Sequence, residues 1–191
     1  LDFNPAIKCH TSWLWCSFIP HFGGDEGTLV PIPDEGCGIE VGGFMLQAVP
    51  AHFLHSSGNF HLFDADAGIL FTGDVGAALQ PPEAPLFVEN FSEHIKLAEG
   101  FHKRWMGSAA AKNDWCHRAR ALKPTMLCPQ HGAIYRGDDV MRFIDWFEAL
   151  EERFQSLELL ARVVDAAERR VAVALRVAAV VAHDEVERAR V

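Results

Sequence analysis

The sequence has no apolar run close to the ~20 residues that a membrane-spanning helix needs. Its most apolar stretch, Val171–Ala182, is short and contains Arg176. The first residues show neither the basic region nor the apolar region of a secretory signal peptide. Basic side chains are scarce as well, because 17 lysines and arginines stand against 26 acidic residues, giving a net charge of −9. Together these absences predict a protein that binds neither membranes nor nucleic acid.

The sequence also lacks any pattern of paired cysteines. Its five cysteines are scattered over residues 9–128, and none belongs to a CxxC motif. An odd, irregular set of this kind does not build a disulfide framework, so we expect reduced thiols and a cytoplasmic location. The remaining composition, 49% hydrophobic and 23% charged over 191 residues, is typical of a globular protein of about one domain.

Proline is absent from residues 136–191, and glycine is absent after Gly137. From Val140 to Ala182 the apolar positions instead recur every three or four residues, a spacing typical of coiled coils. The sequence therefore predicts a globular domain over residues 1–150 and a helical or coiled-coil extension over residues 151–191. Pairing of this extension between copies predicts a homo-oligomer. The alternative is a long helix that docks on its own domain.

Residues 1–135 consist of short apolar runs separated by turn signals. Five of these runs are predicted as strands: residues 28–32, 43–49, 59–63, 69–72 and 124–128. Helical spacing predicts helices over residues 89–107 and 114–122. Because strands and helices alternate along the chain, the sequence favours a layered α/β domain.

Three of the predicted strands are followed by side chains that commonly bind metals. His55, Asp74 and His131 each come after an apolar run, which places them at the edge of the predicted sheet. Imidazole and carboxylate ligands suit zinc or iron, and one carboxylate can bridge two ions through its two oxygens. The sequence therefore predicts a metal site made of these three side chains.

Longer segments around these residues resemble the metallo-β-lactamase superfamily. The segment HSSGNFHLFDADAGILFTGDVG is similar to its third and fourth motifs, and PQHG is similar to its fifth. Within the superfamily, IPDEG, PAHFLHSSGNF, ILFTGDVGA, EHIKLAEGFHKRWM and CPQHGAIYRG resemble the diiron branch in order and spacing. That branch comprises the flavodiiron proteins and the oxygen-binding diiron proteins that lack a flavodoxin domain. The resemblance covers about residues 10–150 and implies an αββα sandwich.

The resemblance also implies a role for each candidate ligand. His55 would bind one iron, His131 would bind the other, and Asp74 would bridge the two. His52 matches no ligand position of the branch. His94 and His102 lie on a predicted helix, where we expect them to pack or to face solvent rather than to bind metal.

One motif of the superfamily has no counterpart in this chain. No segment matches His-x-Glu-x-Asp-His, which supplies three or four ligands and in the family lies upstream of the segments matched here. The resemblance therefore implies an N-terminally incomplete sandwich in which each iron lacks some of its ligands.

The function implied by the resemblance is that of a non-haem diiron protein that binds or reduces O₂ or NO. No segment resembles a flavodoxin phosphate loop, so we expect no FMN and, for reduction, a separate electron donor. A ligand-binding domain followed by a long helix is also the arrangement of a sensor. Phe53, Phe60 and Trp105 are predicted to line the pocket. The alternative is a dizinc hydrolase of an ester or phosphodiester with the same three ligands, which leaves enzymatic activity open at this point.

Overall fold

The computed structural model describes Asn4 and residues 6–151. The chain divides into two compact units, Leu1–Glu152 and Arg153–Val191, and the described residues all belong to the first. The predicted helical extension over residues 151–191 therefore lies outside the described part of the chain, apart from Glu151. The domain boundary and the coiled coil stay predictions.

The described residues form eight strands and four α-helices. The strands are β1 (Cys9–Ser12), β2 (Leu29–Ile32), β3 (Gly38–Val41), β4 (Phe44–Pro50), β5 (Phe60–Asp64), β6 (Ile69–Gly73), β7 (Met126–Pro129) and β8 (Tyr135–Arg136). The helices are α1 (Trp13–Phe18), α2 (Phe91–Trp105), α3 (Ala109–Leu122) and α4 (Asp138–Ala149), with short 3₁₀ helices at Ile19–Phe22 and Glu26–Thr28.

A six-stranded sheet with the order β3-β4-β5-β6-β7-β8 organises this unit. All neighbouring strands in it are antiparallel except β6 and β7, which are parallel. Both β4 and β6 are antiparallel to β5, so β4, β6 and β7 run in the same direction. Their carboxyl ends therefore lie at one edge of the sheet, which is the edge the sequence predicts for the metal site. Strands β1 and β2 form a separate parallel pair.

The two faces of the main sheet bury different sets of side chains, because successive residues of a strand point to opposite faces. One face contributes to the larger core cluster, in which residues of β4–β7 pack with residues of α2, α3 and α4. The other face contributes Ile39 and Ala48 to a smaller cluster with Ile32 of β2. The arrangement is the α/β fold that the alternation of strands and helices predicts.

Helices α2 and α3 begin where the sequence offers a capping side chain. Asn90 accepts a hydrogen bond from the backbone N–H of Glu93 at the start of α2, and Ser108 does the same for Ala111 at the start of α3. These side chains satisfy backbone donors that have no partner within the helix. None of the helices in the described part of the chain is long and apolar enough to cross a membrane.

A buried lysine holds the carboxyl end of α4. The Lys112 side chain on α3 is buried, and its Nζ donates to the backbone oxygens of Phe147, Glu148 and Leu150 at 2.9, 2.6 and 2.8 Å. The last carbonyl groups of a helix have no partner within it, and a positive charge there is favourable. Lys112 therefore satisfies the end of α4, after which Leu150 adopts an extended backbone.

Two histidines are completely enclosed in the larger core. The Nδ1 atom of His61 on β5 accepts a hydrogen bond from the indole N–H of Trp115 at 2.8 Å. Burial lowers the pKa of His61 to about 3. Burial also lowers the pKa of His102 to about 4, against the opposing effects of its hydrogen bond to Ala98 and of the Asp74 charge. Both rings are therefore neutral in the folded protein at neutral pH.

We expect these two histidines to make the protein sensitive to acid. In the unfolded chain a histidine titrates near pH 6.5, so below that pH the unfolded state binds more protons than the folded state. The free energy of unfolding should fall as the pH falls from about 6.5 towards 4, by up to ~1.4 kcal/mol per pH unit for each histidine. Urea unfolding of the wild type and of His61→Leu at pH 6 and pH 5 measures this slope.

The His61→Leu variant should have a clearly smaller slope than the wild type between these pH values, since one of the buried histidines whose pKa is lowered by burial is gone. His21 is exposed, so His21→Gln serves as the control and should keep the full slope. Equal slopes in the wild type and in His61→Leu would show that His61 does not titrate on unfolding.

Candidate metal centre

The three predicted ligands meet at the carboxyl edge of the main sheet. His55 lies in the loop after β4, Asp74 directly follows β6, and His131 lies two residues beyond β7. Because these strands run in the same direction, their following segments emerge side by side. The structure thus brings together the three side chains that the sequence places at separate strand ends.

Each oxygen of the Asp74 carboxylate faces a different imidazole. Nε2 of His55 lies 3.4 Å from Oδ2, and Nε2 of His131 lies 3.8 Å from Oδ1. The carboxylate is 23% exposed, whereas the side chains of His55 and His131 are 40% and 64% exposed. The two imidazoles are therefore more open to solvent than the carboxylate between them.

The loop that carries His55 is held in an unusual conformation. His55 has φ +84° and Phe53 has φ +63°, values in the left-handed region that bulky residues rarely adopt. Two hydrogen bonds maintain this conformation. The Phe53 N–H donates to the backbone oxygen of Ser56 at 2.7 Å, and the Asn59 side-chain amide donates to the backbone oxygen of Leu54 at 2.7 Å. Such strain persists where the surrounding structure over-determines the backbone, and it is common at functional sites.

The loops that carry Asp74 and His131 are joined to each other. The Gln130 N–H donates to the Gly73 oxygen at 2.7 Å, and the Ala78 N–H donates to the His131 oxygen at 3.3 Å. Gly132 makes this approach possible, because it has φ +100° and a Cβ there would lie 2.8 Å from the Ala78 nitrogen. The backbone therefore fixes the separation between the carboxylate and the His131 imidazole.

Aromatic side chains of α2 form a wall beside His55. The ring centroid of Trp105 lies 5.0 Å from that of His55, and the Phe101 centroid lies 6.4 Å away. Trp105 is thus placed where the sequence predicts a pocket-wall residue. Phe60 is not, because it packs in the smaller cluster and against the His52 ring. The Phe53 side chain is exposed.

The remaining histidines near these segments serve other contacts. Nε2 of His52 lies 3.0 Å from the backbone oxygen of Asp34. His94 and His102 are buried on α2, as expected for packed histidines. Sequence reasoning missed, however, that His102 contacts the loop of Asp74: its Nε2 accepts a hydrogen bond from the Gly76 N–H at 2.9 Å. The signal was present, since two histidines eight residues apart share the buried face of α2 with Ala98.

The types of ligand at this edge fit a pair of metal ions bridged by a carboxylate, but the three side chains supply few ligand atoms for each ion. Two ligand atoms that share one ion at ~2.1 Å lie about 3.0–3.4 Å apart at bond angles of about 90–110°. The 3.4 Å between His55 and Asp74 fits this range, and the 3.8 Å between His131 and Asp74 needs a small shift. No group of three or more His, Cys, Asp or Glu among the described residues could hold a single ion. Each of two ions would receive one imidazole and one carboxylate oxygen.

Comparison with known families identifies the chain. Residues 1–132 match the family described as ODP family beta lactamase. The chain belongs to this family. The resemblance to the diiron branch of the metallo-β-lactamase superfamily, stated from the motifs, is thereby confirmed. Comparison with curated protein sequences gives no match.

Solved structures of ODP proteins resemble this chain in sequence and in fold. A structure described as a peroxy diiron species of chemotaxis sensor ODP is 42% identical, with a TM-score of 0.69 over 75% of this chain and 60% of that one. The apo state of chemotaxis sensor ODP from T. denticola is 41% identical, with a TM-score of 0.74 over 80% of this chain and 63% of that one. The chain therefore spans 60% and 63% of the length of these two ODP relatives.

More distant proteins share the fold alone. A flavo di-iron protein variant from Thermotoga maritima is 22% identical, with a TM-score of 0.64 over 74% of this chain and 35% of that one. Rubredoxin oxygen:oxidoreductase from Desulfovibrio gigas is 18% identical, with a TM-score of 0.64 over 74% of this chain and 37% of that one. The metallo-β-lactamase-like fold class predicted from the sequence is confirmed.

Proposed function

We propose that this member of the ODP family is a non-haem diiron protein that binds O₂ as a sensor. One observation carries the proposal: a single carboxylate, Asp74, presents each of its oxygens to a different imidazole. That arrangement suits two ions sharing one bridging carboxylate better than one ion with three ligands. The ODP relatives are described as a chemotaxis sensor, and one of them as a diiron species, which supports iron at this site.

Each residue of the cluster has a defined part in this proposal. Two iron ions would supply open coordination positions and electrons for a diatomic ligand. Asp74, at the end of β6, would supply the carboxylate shared by the two ions, and His55 and His131 would each bind one ion through Nε2. Trp105 and Phe101 cover His55 with aromatic surface and reduce the access of water to that side.

Iron is favoured over zinc by the relatives rather than by the ligand types. Imidazole and carboxylate bind both metals, so a dizinc hydrolase could use the same three side chains. One ODP relative of known structure is described as a peroxy diiron species, and neither of the two ODP structures is described as a hydrolase. The hydrolase is therefore the disfavoured alternative.

Several finer features of the proposal rest on the sequence. Sensing needs only binding, whereas reduction of O₂ or NO needs a separate electron donor, because no flavin-binding motif is evident in the sequence. A cytoplasmic location agrees with the five free cysteines, which remain unpaired in the structure. A homo-oligomer would form through the heptad-patterned residues that follow residue 150.

The first test is the metal content of the full chain, purified without oxygen in the presence of Fe²⁺. We expect about two iron ions per chain, since a carboxylate bridge serves two ions. Exposure to air should produce a new near-ultraviolet absorption band. The matched pair of variants is His131→Ala and His21→Ala: the first should lose bound iron, and the second, at an exposed position, should keep it.

The outcomes separate the candidate functions. Iron with a band that appears in air and disappears when O₂ is removed supports a sensor. Iron with sustained consumption of O₂ supports a reductase and contradicts sensing by reversible binding. Stoichiometric zinc without any response to oxygen would favour the hydrolase, and no stoichiometric metal would contradict the metal centre.

A further inference from the structure

The peptide groups on either side of the Gly76 Cα atom are held by two buried side chains from different elements. Gly76 lies two residues after Asp74 in the loop that follows β6. Its N–H donates to Nε2 of His102 at 2.9 Å, and its carbonyl oxygen accepts from the Tyr135 hydroxyl at 3.3 Å. His102 comes from α2 and Tyr135 from β8, and both are 0% exposed. Gly76 is therefore fixed from the core side by hydrogen bonds that water cannot replace.

The hydrogen bonds of His102 determine its tautomer. The Gly76 N–H is a donor, so Nε2 must accept and carries no proton. The proton then lies on Nδ1, which donates to the backbone oxygen of Ala98 at 2.8 Å. Both ring nitrogens thus have partners, and the ring is oriented by the preceding turn of α2. This histidine presents one acceptor in one fixed direction.

Aromatic packing prevents either ring from moving away. The centroid of His102 lies 5.2–5.8 Å from those of Phe143, Trp146 and Phe147 on α4. The Tyr135 ring lies 4.6 Å from Phe143. The close packing extends to Gly76, where a Cβ would lie 3.2 Å from the Tyr135 ring. Helix α4 thus supports both side chains that hold the loop.

Short local hydrogen bonds connect this fixed point to Asp74. The Thr72 hydroxyl donates to the backbone oxygen of Val75 at 2.6 Å, and the Ala77 N–H donates to the backbone oxygen of Asp74 at 3.1 Å. The path from Gly76 back to Asp74 is therefore a tight turn with little freedom. A displacement of Gly76 would move the carboxylate relative to the imidazoles of His55 and His131.

We propose that His102 and Tyr135 are positioning residues of the metal centre, which act on Asp74 through the Gly76 peptide and do not touch metal themselves. The inference rests on the proposed function in taking Asp74 as a metal ligand. It assigns a role in the site to two core residues that lie on α2 and β8 and are not themselves among the three candidate ligands.

A matched pair of variants separates hydrogen bonding from packing at position 102. His102→Gln and His102→Leu both remove the aromatic ring. The Gln side-chain oxygen can still accept a hydrogen bond from the Gly76 N–H, whereas the Leu side chain cannot. Tyr135→Phe removes the hydroxyl and keeps the ring. The readouts are Co²⁺ affinity of the full chain, followed by the visible absorption of bound Co²⁺, and thermal stability of the metal-free chain.

His102→Leu should weaken Co²⁺ binding by about 10-fold or more and change the absorption spectrum, as is typical when a group that orients a ligand is lost. His102→Gln should restore most of the affinity at a similar thermal stability, and Tyr135→Phe should fall between the wild type and His102→Leu. Equal Co²⁺ affinity in the Gln and Leu variants would overturn the proposal, because it would reduce His102 to a packing residue.

A metal-free measurement keeps this inference separable from the proposed function. Amide hydrogen exchange at Gly76 should be at least about 10-fold faster in His102→Leu than in His102→Gln, since only Leu leaves that N–H without an acceptor. If the wild type binds no Co²⁺, the proposed function fails and the exchange rates alone decide whether His102 fixes the loop. Equal exchange in the two variants would contradict the positioning role even in a chain that binds metal.

Discussion

The Asp74→Asn variant is expected to lose at least one of the two iron ions. An amide presents one oxygen and one NH₂ group, so it cannot offer an acceptor to His55-bound and His131-bound ions together. Changes in groups that merely orient ligands lower metal affinity by about 10–100-fold, and loss of the shared ligand should exceed about 100-fold. Metal content after anaerobic loading with Fe²⁺, measured together with circular dichroism, tests this expectation.

The control for this variant is Asp66→Asn. Asp66 is an exposed aspartate in the turn between β5 and β6, away from both imidazoles, and its replacement should leave the iron content unchanged. If Asp74→Asn retained two iron ions per chain with wild-type affinity, the two ions would be bound without a shared carboxylate. That result would refute the bridging role assigned to Asp74.

Replacement of Lys112 by methionine is expected to destabilise the folded domain by about 2–5 kcal/mol. Methionine keeps an unbranched apolar stem and removes the ammonium group, which leaves the part-buried carbonyl oxygen of Glu148 and the buried one of Leu150 without this donor. An unsatisfied buried polar group costs about 1–3 kcal/mol. The free energy of unfolding from urea denaturation at pH 7 measures the effect.

Lys96 supplies the comparison, because its ammonium also lies on a helix but pairs with Glu93 in solvent, with the two side chains 64% and 66% exposed. Exposed ion pairs contribute about 0–1 kcal/mol, so Lys96→Met should change the stability little. Similar losses in the two variants would mean that Lys112 stabilises the end of α4 no more than a surface pair does.

The sequence predicts those elements whose own residues carry a periodic signal. Strands β4–β7 and helices α2 and α3 follow the predicted runs, because their buried faces repeat at the spacing of a strand or a helix. Strands β1, β3 and β8 and helix α1 were not predicted. Strand β3 buries only Ile39, and α1 buries no residue, so neither has a periodic apolar face to detect.

The same distinction applies to the candidate site, where features marked by a local sequence pattern could be predicted and long-range contacts could not. That His55, Asp74 and His131 meet could be predicted, since each lies in the segment that follows a strand and parallel strands end at one edge. The contacts of His102 and Tyr135 with Gly76 span 26 and 59 residues of sequence, and those of Lys112 span 35–38. No local pattern encodes such pairings, because they depend on how α2, β8 and α4 pack around the sheet.

The bond between Lys112 and the end of α4 has a mechanical consequence. A polypeptide that continues beyond Leu150 starts from a point that is fastened to α3 as well as to α4. Tension applied there is shared by two helices, one of which carries Trp115 deep in the core. Residue 150 is therefore a firm anchor, suited to the attachment of a reporter or a tether without loosening the sheet edge that carries His55, Asp74 and His131.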